Sequence, residues 1–133
     1  MTGRGSRYHT NDDGDFEFEL KAAGTTLAVT LGYDDTEGAY TVQAASRLDI
    51  APDDAARALD LCNRWNIEQW WPKVYVENAG EETEFRRLRT EDVLRTGATL
   101  SQAQVEEFTA AALESAKRFW EWLNEQDPGL EIA

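Results

Sequence analysis

The first half of the chain alternates between apolar and polar residues with a period of two. Residues 15–20 place three apolar side chains on one side and three acidic ones on the other, the pattern of a half-buried strand. A turn around Gly24 leads to a second alternating run at 27–33, and an acidic turn at 34–38 leads to a third at 40–44. Because the links are short, the pattern predicts three antiparallel strands in a meander.

A helical pattern begins at Pro52, which fits the first turn of a helix because its missing N–H costs nothing there. Asp53 and Asp54 suit the positive end of the helix dipole. The helix is expected to run to about Gln69, since Pro72 disfavours helical geometry just before it. Its predicted apolar face combines two stripes, Leu59, Cys62 and Asn66 with Ala58, Leu61 and Trp65.

A second hairpin should follow this helix. Residues 74–76 are strongly strand-forming, and 77–82 contain a central glycine that suits a turn. In residues 84–95 the spacing from Phe85 to Leu88 suits a helix, whereas Leu88, Thr90, Asp92 and Leu94 keep the parity of a strand. We interpret this segment as a strand with a bulge near Arg86 or Arg87.

The last element predicted is a long amphipathic helix. Gly97 breaks the chain, and Ser101 with Gln104 forms the signature of a capping box. Apolar residues then recur at steps of three and four: Val105, Phe108, Ala112, Ala116, Phe119 and Leu123. Asp127, Pro128 and Gly129 should end the helix.

The predicted order is therefore β-β-β-α-β-β-α. It indicates an α+β fold in which a three-stranded meander and a hairpin form one antiparallel sheet, with two helices packed on it. Residues 1–7 are expected to be a flexible segment, residues 8–125 the domain, and residues 126–133 a tail.

Length and charge narrow the classes of function. The 133 residues, 41% of them hydrophobic, suit one domain. A net charge of −13 argues against nucleic acid or an anionic membrane as partner, because either would repel the protein. Cys62 is the single cysteine, which excludes an internal disulfide, and its apolar surroundings predict a buried, inert thiol. With no apolar run of membrane length and no signal peptide, we expect a cytoplasmic protein.

The candidates for catalysis and metal binding are weak. His9 is the only histidine and lies in a polar N-terminal segment, so neither a nucleophile–histidine pair nor an ordinary zinc site is expected. The acidic runs at 11–15 and 34–38 lack the spacing of a calcium loop and suit turns. We therefore predict no catalytic residue, no cofactor and no metal.

The one basic concentration lies in the second hairpin and comprises Arg86, Arg87, Arg89 and Arg95. Acidic residues surround it. A strand face of mixed charge that blunts the edge of a sheet is favoured over a phosphate-binding patch.

Five tryptophans exceed what one small core usually needs. Trp120 and Trp122 are two residues apart on a helix and so point about 200° from each other. At least one of them should be exposed. Core packing is expected for Trp65 and Trp120, and binding of a protein partner for Trp70, Trp71 and Trp122.

Four sequence motifs together resemble a known family. The run LCNRWN at 61–66 is followed by WPKVYV at 71–76, by TGATLSQAQV after an acidic hairpin, and by FWEWL at 119–123. These segments resemble the YbjN family of bacterial proteins, which are described as sensory transduction regulators and whose domain is similar in fold to type III secretion chaperones. The resemblance covers Tyr8 to Glu125.

The resemblance implies an additional first helix, for which too few residues precede the first strand, so that either the chain begins late or the helix has been lost. Either case should leave apolar surface uncovered and favour self-association, so we expect a homodimer. No catalytic residues carry over from the family. Asn63 and Asn66 match its motif, and with Trp65 and Pro72 they are interpreted as structural: the amides either satisfy loose helix carbonyls or fix the chain that turns into the next strand.

Two functions remain open from the sequence. The first is a non-enzymatic, chaperone-like regulator that binds a protein partner whose identity is unknown. The alternative is a small-ligand sensor with an aromatic pocket between sheet and helices.

Overall fold

A computed structural model describes residues 8–10, 15–34, 38–46, 50–78, 85–95 and 101–126. Its strands are β1 (Tyr8–Thr10), β2 (Phe16–Ala22), β3 (Thr25–Asp34), β4 (Ala39–Ser46), β5 (Lys73–Asn78) and β6 (Arg86–Arg95). Its helices are α1 (Ala55–Glu68), which follows a 3₁₀ turn at Pro52–Asp54, and α2 (Gln102–Gln126). The predicted order β-β-β-α-β-β-α is confirmed. Strand β1 is an addition before it.

The segments at both termini lie largely outside the described residues. This holds for residues 1–7 and 127–133, so their predicted flexibility stays a prediction. Gln126 is the last residue of α2 and not the first of a tail. His9, which was expected in a segment before the first strand, lies within β1, opposite Glu17 of β2.

The six strands form one antiparallel sheet in the order β1-β2-β3-β4-β6-β5. Strand β6 lies between β4 and β5 and pairs antiparallel with both. β4 and β5 therefore run in the same direction, and α1 makes the crossover between them. The prediction that the arginine-rich strand blunts an edge is wrong, because β6 is interior and β5 forms the edge.

The bulge predicted near Arg86 or Arg87 is also wrong. The register between β5 and β6 is unbroken from Asn78 opposite Arg86 to Lys73 opposite Glu91. The parity that the sequence indicated for 88, 90, 92 and 94 is present, since Leu88, Thr90 and Asp92 are buried. Pairing on both sides keeps the strand regular.

The hairpin between β2 and β3 closes on two residues. Ala22 pairs with Thr25, and the two turn residues Ala23 and Gly24 both have positive φ, 52° and 78°. Positive φ at both positions is the geometry of a type I′ turn, which matches the twist of the flanking strands. Glycine adopts it readily, whereas alanine does so at a cost.

The core lies between one face of the sheet and the two helices. Its fully buried side chains come from all these elements and include Leu27, Val29, Val74, Leu88, Leu113, Phe119 and Leu123. A buried hydrogen bond of 2.6 Å joins the hydroxyls of Tyr40 on β4 and Thr109 on α2. Apolar contact and this bond together fix α2 on the sheet.

The buried face of α1 is narrower than the sequence predicted. Ala58, Leu61, Cys62 and Trp65 are buried, but Leu59 is 58% exposed. Leu59 was predicted to share a stripe with Cys62 and Asn66, and of these three only Cys62 is buried. The prediction for this stripe is therefore confirmed at Cys62 and wrong at Leu59.

Helix α2 begins with the predicted capping box. The backbone N–H of Ser101 donates to Oε1 of Gln104 at 2.9 Å, and the backbone N–H of Gln104 donates to Oγ of Ser101 at 3.1 Å. Two donors at the start of the helix are thereby satisfied reciprocally. None of the described helices is long and apolar enough to cross a membrane.

Candidate functional site

The link between α1 and β5 is held in place by the side chain of Trp65. This ring is buried, and its indole Nε1–H donates to the carbonyl oxygen of Pro72 at 3.0 Å. The backbone N–H of Gln69 donates to the carbonyl of Trp65 at 2.8 Å and closes the last turn of the helix. These two hydrogen bonds fix both ends of the link to the helix. The peptide bond between Trp71 and Pro72 is cis.

Asn66 makes a second connection from the helix to the strand. Its amide nitrogen donates to the carbonyl oxygen of Val74 at 2.9 Å, and the N–H of Val74 donates to Oδ1 of Asn66 at 3.1 Å. Of the two roles weighed for these asparagines, Asn66 has the one that fixes the chain entering β5. Asn63 is exposed, and its side-chain amide makes no hydrogen bond within the described part of the chain.

Between these fixed points the chain presents two tryptophans to solvent. Trp70 is 90% exposed and Trp71 is 58% exposed. Ile67, on the last turn of α1, is also exposed. We call Ile67, Trp70 and Trp71 the tryptophan tip. Exposed indoles with a fixed backbone are typical of anchors in protein interfaces, because a tryptophan contributes a large contact area at a low cost in conformational entropy.

A cleft of about 500 Å³ lies beside the tip. Its lining comes from Trp65, Glu68, Gln69, Trp70, Trp71, Ser115 and Arg118. On the α2 wall, the guanidinium of Arg118 donates to Oγ of Ser115 at 3.2 Å. Neither Ser115 nor Arg118 was predicted from the sequence to line a site, although their spacing of three residues on a helix could have indicated a shared face.

Trp122 does not lie at the tip with Trp70 and Trp71. It is half-buried and packs edge-on against Trp65, with ring centroids 5.3 Å apart. The guanidinium of Arg64 lies over the ring of Trp122, 5.8 Å from its centroid. Trp120 is buried, as expected. The structure thus separates the three tryptophans assigned to partner binding into an exposed pair and a half-buried one.

Burial raises the pKa of a cysteine and of an aspartate in the core. Burial raises the pKa of the Cys62 thiol to about 12, so the thiol is protonated and unreactive at neutral pH. Burial, with the neighbouring charge of Glu91, raises the pKa of Asp92 to about 6. The sequence placed Asp92 on the face of β6 shared with Leu88, but its burial was not foreseen.

The face of the sheet that points away from the helices carries paired charges. Arg89 donates to Glu77 at 2.7 Å, and Tyr75 donates to Glu91 at 3.2 Å. Gln43 also donates to Glu91, at 3.2 Å. The mixed charge predicted for the arginine-rich strand is confirmed at Arg89.

The described residues hold no cluster of three or more histidine, cysteine or acidic side chains that could bind a metal ion. The acidic runs at 11–15 and 34–38 fall mostly outside the described residues. Among the described residues, we therefore take the tryptophan tip and the cleft beside it as the candidate functional site.

Comparisons with known proteins give a family and a fold. The family model YbjN, "Putative bacterial sensory transduction regulator", matches residues 1–125. The crystal structure of YbjN from E. coli, described as "a putative transcription regulator", is similar with a TM-score of 0.71 at 10% sequence identity. The match covers 92% of this chain and 84% of that one, and at this identity it shows the fold alone. No curated protein matches the chain.

Proposed function

Because this chain belongs to the YbjN family, we propose that it is a non-enzymatic regulatory or chaperone-like module that binds a partner protein through the tryptophan tip. The observation that carries the proposal is the exposure of Trp70 at 90% on a backbone held from both sides. Exposing an indole to water forgoes the free energy that its burial would provide. An exposed tryptophan that is also fixed in position is therefore suited to burial by a partner.

The anchoring of the tip supports the proposal energetically. Binding normally costs free energy to order loops and side chains at the interface. The bond from Gln69 to Trp65 holds the backbone before Trp70, and the bonds from Trp65 to Pro72 and from Asn66 to Val74 hold it after Trp71. A partner would bury these rings without having to order the link first.

The proposal includes the homodimer expected from the sequence, which would form through the tryptophan tip. It also takes the compartment to be the cytoplasm, on the ground of the single reduced cysteine expected there. The sequence offers no catalytic group that would favour an enzyme over a regulatory role, and the family is described as a regulator.

The alternative, a small-ligand sensor, would need a pocket between sheet and helices. That space contains aromatic rings in contact with each other: Trp65 lies 5.3 Å from Phe119 and Phe119 lies 5.0 Å from Trp120, centroid to centroid. No observation on the described residues favours a ligand there over this packing.

Site-specific cross-linking in the source cells tests the proposal. A photoreactive amino acid is placed at Trp70 in one variant and at Tyr33 in a control, because Tyr33 is an aromatic residue of 54% exposure on β3, outside the tip. We expect a discrete cross-linked protein at Trp70 that is absent at Tyr33. Equal products at both positions, or none at Trp70, would contradict the proposal.

A further inference from the structure

Among the residues that the structure describes, part of the outer edge of strand β5 makes no backbone hydrogen bonds. Asn66 bonds both backbone groups of Val74, so these groups point away from β6. In an antiparallel pair, alternate residues direct their N–H and C=O groups to the same side. The groups of Val76 and Asn78 must therefore also point outward.

The opposite side of the pair confirms this parity independently. The N–H and C=O of Arg86 both bond Ile50, at 2.9 and 2.6 Å, and so point away from Asn78, which lies opposite Arg86 across the β5–β6 pair. Neither Val76 nor Asn78 makes any outward hydrogen bond with the described residues. No described residue therefore pairs with the two N–H and two C=O groups that Val76 and Asn78 direct to this edge.

Helix α1 provides a wall beside this edge. Leu59, Asn63 and Asn66 recur at steps of four and three and so share one side of α1, and Asn66 shows that this side meets the edge of β5. Along the helix, Asn63 and Leu59 lie about 4.5 and 10.5 Å before Asn66. Along the strand, Val76 and Asn78 lie about 7 and 13 Å beyond Val74.

The two sets of positions run side by side, because α1 ends where the link to β5 begins. Asn63 and Leu59 therefore flank the free stretch at Val76 and Asn78. Both side chains are exposed. We call this space, between the Leu59–Asn63 side of α1 and the outer edge of Val76 and Asn78, the β5 groove. Asn66 closes one end of it, since its amide already takes the place of a neighbouring strand at Val74.

We propose that the β5 groove binds an extended, positively charged segment of the partner protein, which adds to the sheet as a further strand. This inference rests on the proposed function. Rows of backbone donors and acceptors are matched by another extended backbone, which is how peptides add to exposed sheet edges. Leu59 offers apolar contact to a side chain of the added strand, and Asn63 offers an amide of the kind that already pairs with Val74.

The charge of the partner segment follows from the charge of this protein. A net charge of −13 attracts a basic segment and repels an acidic one. A second copy of this chain fits poorly for the same reason. If two β5 edges paired about a two-fold axis so that Val76 faced Asn78 and both copies of Asn66 were avoided, Glu77 would lie directly opposite Glu77 of the other copy.

The experiment uses the full chain and a synthetic peptide of alternating lysine and valine. Amide exchange and chemical shifts are followed by NMR. When the peptide binds, we expect the amide hydrogens of Val76 and Asn78 to exchange at least about tenfold more slowly, because they become hydrogen-bonded. The same peptide N-methylated at alternate residues should have no effect, since it cannot pair along the edge. A peptide of alternating glutamate and valine is the charge control.

Val76→Pro tests the edge directly. It removes an N–H that points outward, and proline is tolerated on edge strands where its nitrogen faces solvent. Binding of the lysine–valine peptide should be lost while circular dichroism is unchanged. Should the variant fail to fold, Leu59→Lys provides a second test at an exposed position. It places a positive charge in the groove, which repels the basic peptide, and it removes the apolar contact of Leu59.

Binding that survives N-methylation, or a peptide that leaves Val76 and Asn78 unprotected, would overturn the inference. So would a concentration-dependent dimer of the free chain that Val76→Pro dissociates, since the groove would then hold a second copy. Cross-linking at Trp70 and protection of the β5 edge are separate measurements, and together they distinguish the two proposals. If cross-linking at the tip succeeds and the peptide leaves the edge unchanged, only the groove is wrong; if the edge is protected and the tip captures nothing, only the tip is wrong.

Discussion

Single residues in this protein owe their properties to which side of a strand or helix they occupy. Asp92 has strand parity with Leu88 and Thr90 and is therefore carried into the core, where it is 5% exposed. Trp65 and Trp70 are five positions apart, yet one is in the core and the other in solvent. Asn66 is exposed in part and still holds both backbone groups of Val74.

The pH dependence of stability should report Asp92. Its folded pKa of about 6 lies above the ordinary value of 3.8, so the folded state holds the proton more tightly than the unfolded chain does. Its ionisation then destabilises the fold as pH rises from about 4 through 6, and the cost is fully present above 6. Asp92→Asn should raise the free energy of unfolding at pH 7.5 by about 1–2 kcal/mol.

Urea unfolding of both proteins at a series of pH values measures this effect. The advantage of Asp92→Asn should shrink as pH falls below 6 and vanish near pH 4. Asp60→Asn, at an exposed position of α1, is the matched control for the removal of one negative charge. A constant difference for Asp92→Asn would contradict the assignment of the raised pKa to the folded state.

At the scale of elements, specific side-chain hydrogen bonds explain where α2 begins and how α1 is joined to β5. The capping box at Ser101 begins α2, and the Trp65 and Asn66 bonds join α1 to β5. The β2–β3 hairpin is the exception to this local agreement. Its turn places Ala23 at φ 52°, where a residue with a Cβ is disfavoured.

Ala23→Asn should therefore stabilise the protein. It creates an Asn-Gly pair, which is preferred in a type I′ turn because asparagine tolerates positive φ. We expect the free energy of unfolding to rise by about 0.5–1 kcal/mol, measured by thermal or urea unfolding. Ala23→Val is the matched control and should lower it, because a β-branched residue suits positive φ least. Equal stability of the two variants would mean that the turn has another conformation in solution.

For the whole molecule, burial divides the tryptophans into those that maintain the fold and those available for association. Trp65 is 5% exposed and contacts Phe119 and Trp122. Trp70 contributes almost nothing to the core. The exposed apolar surface of the tip and the net charge of −13 also act oppositely on self-association, since the first favours it and the second opposes it.

Trp65→Ala should lower the free energy of unfolding by about 3–5 kcal/mol, because it removes a buried aromatic ring. Trp70→Ala should change it by less than about 0.5 kcal/mol and should weaken self-association instead. Urea unfolding measures the first quantity, and sedimentation at tens of micromolar measures the second. Equal loss of stability in both variants, or a dimer that Trp70→Ala leaves intact, would overturn this division.

The sequence by itself determined the order of the elements, the sheet-facing residues of the central strands and most of those on the helices. It also determined the capping box of α2 and the burial of Cys62. These features depend on periodicity and on contacts between near neighbours in the chain, which are written locally. The resemblance carried by LCNRWN and WPKVYV identified the family in the same local way.

Only the tertiary structure decided how distant segments meet. It placed β6 between β4 and β5, which made β5 the edge, where no described residue pairs with the outward backbone groups of Val76 and Asn78. It also showed that β6 has no bulge where one was predicted, that Leu59 is exposed and that Trp122 is half-buried. Strand pairing and helix packing join residues far apart in the chain, and no local period encodes which of several possible partners a strand will take.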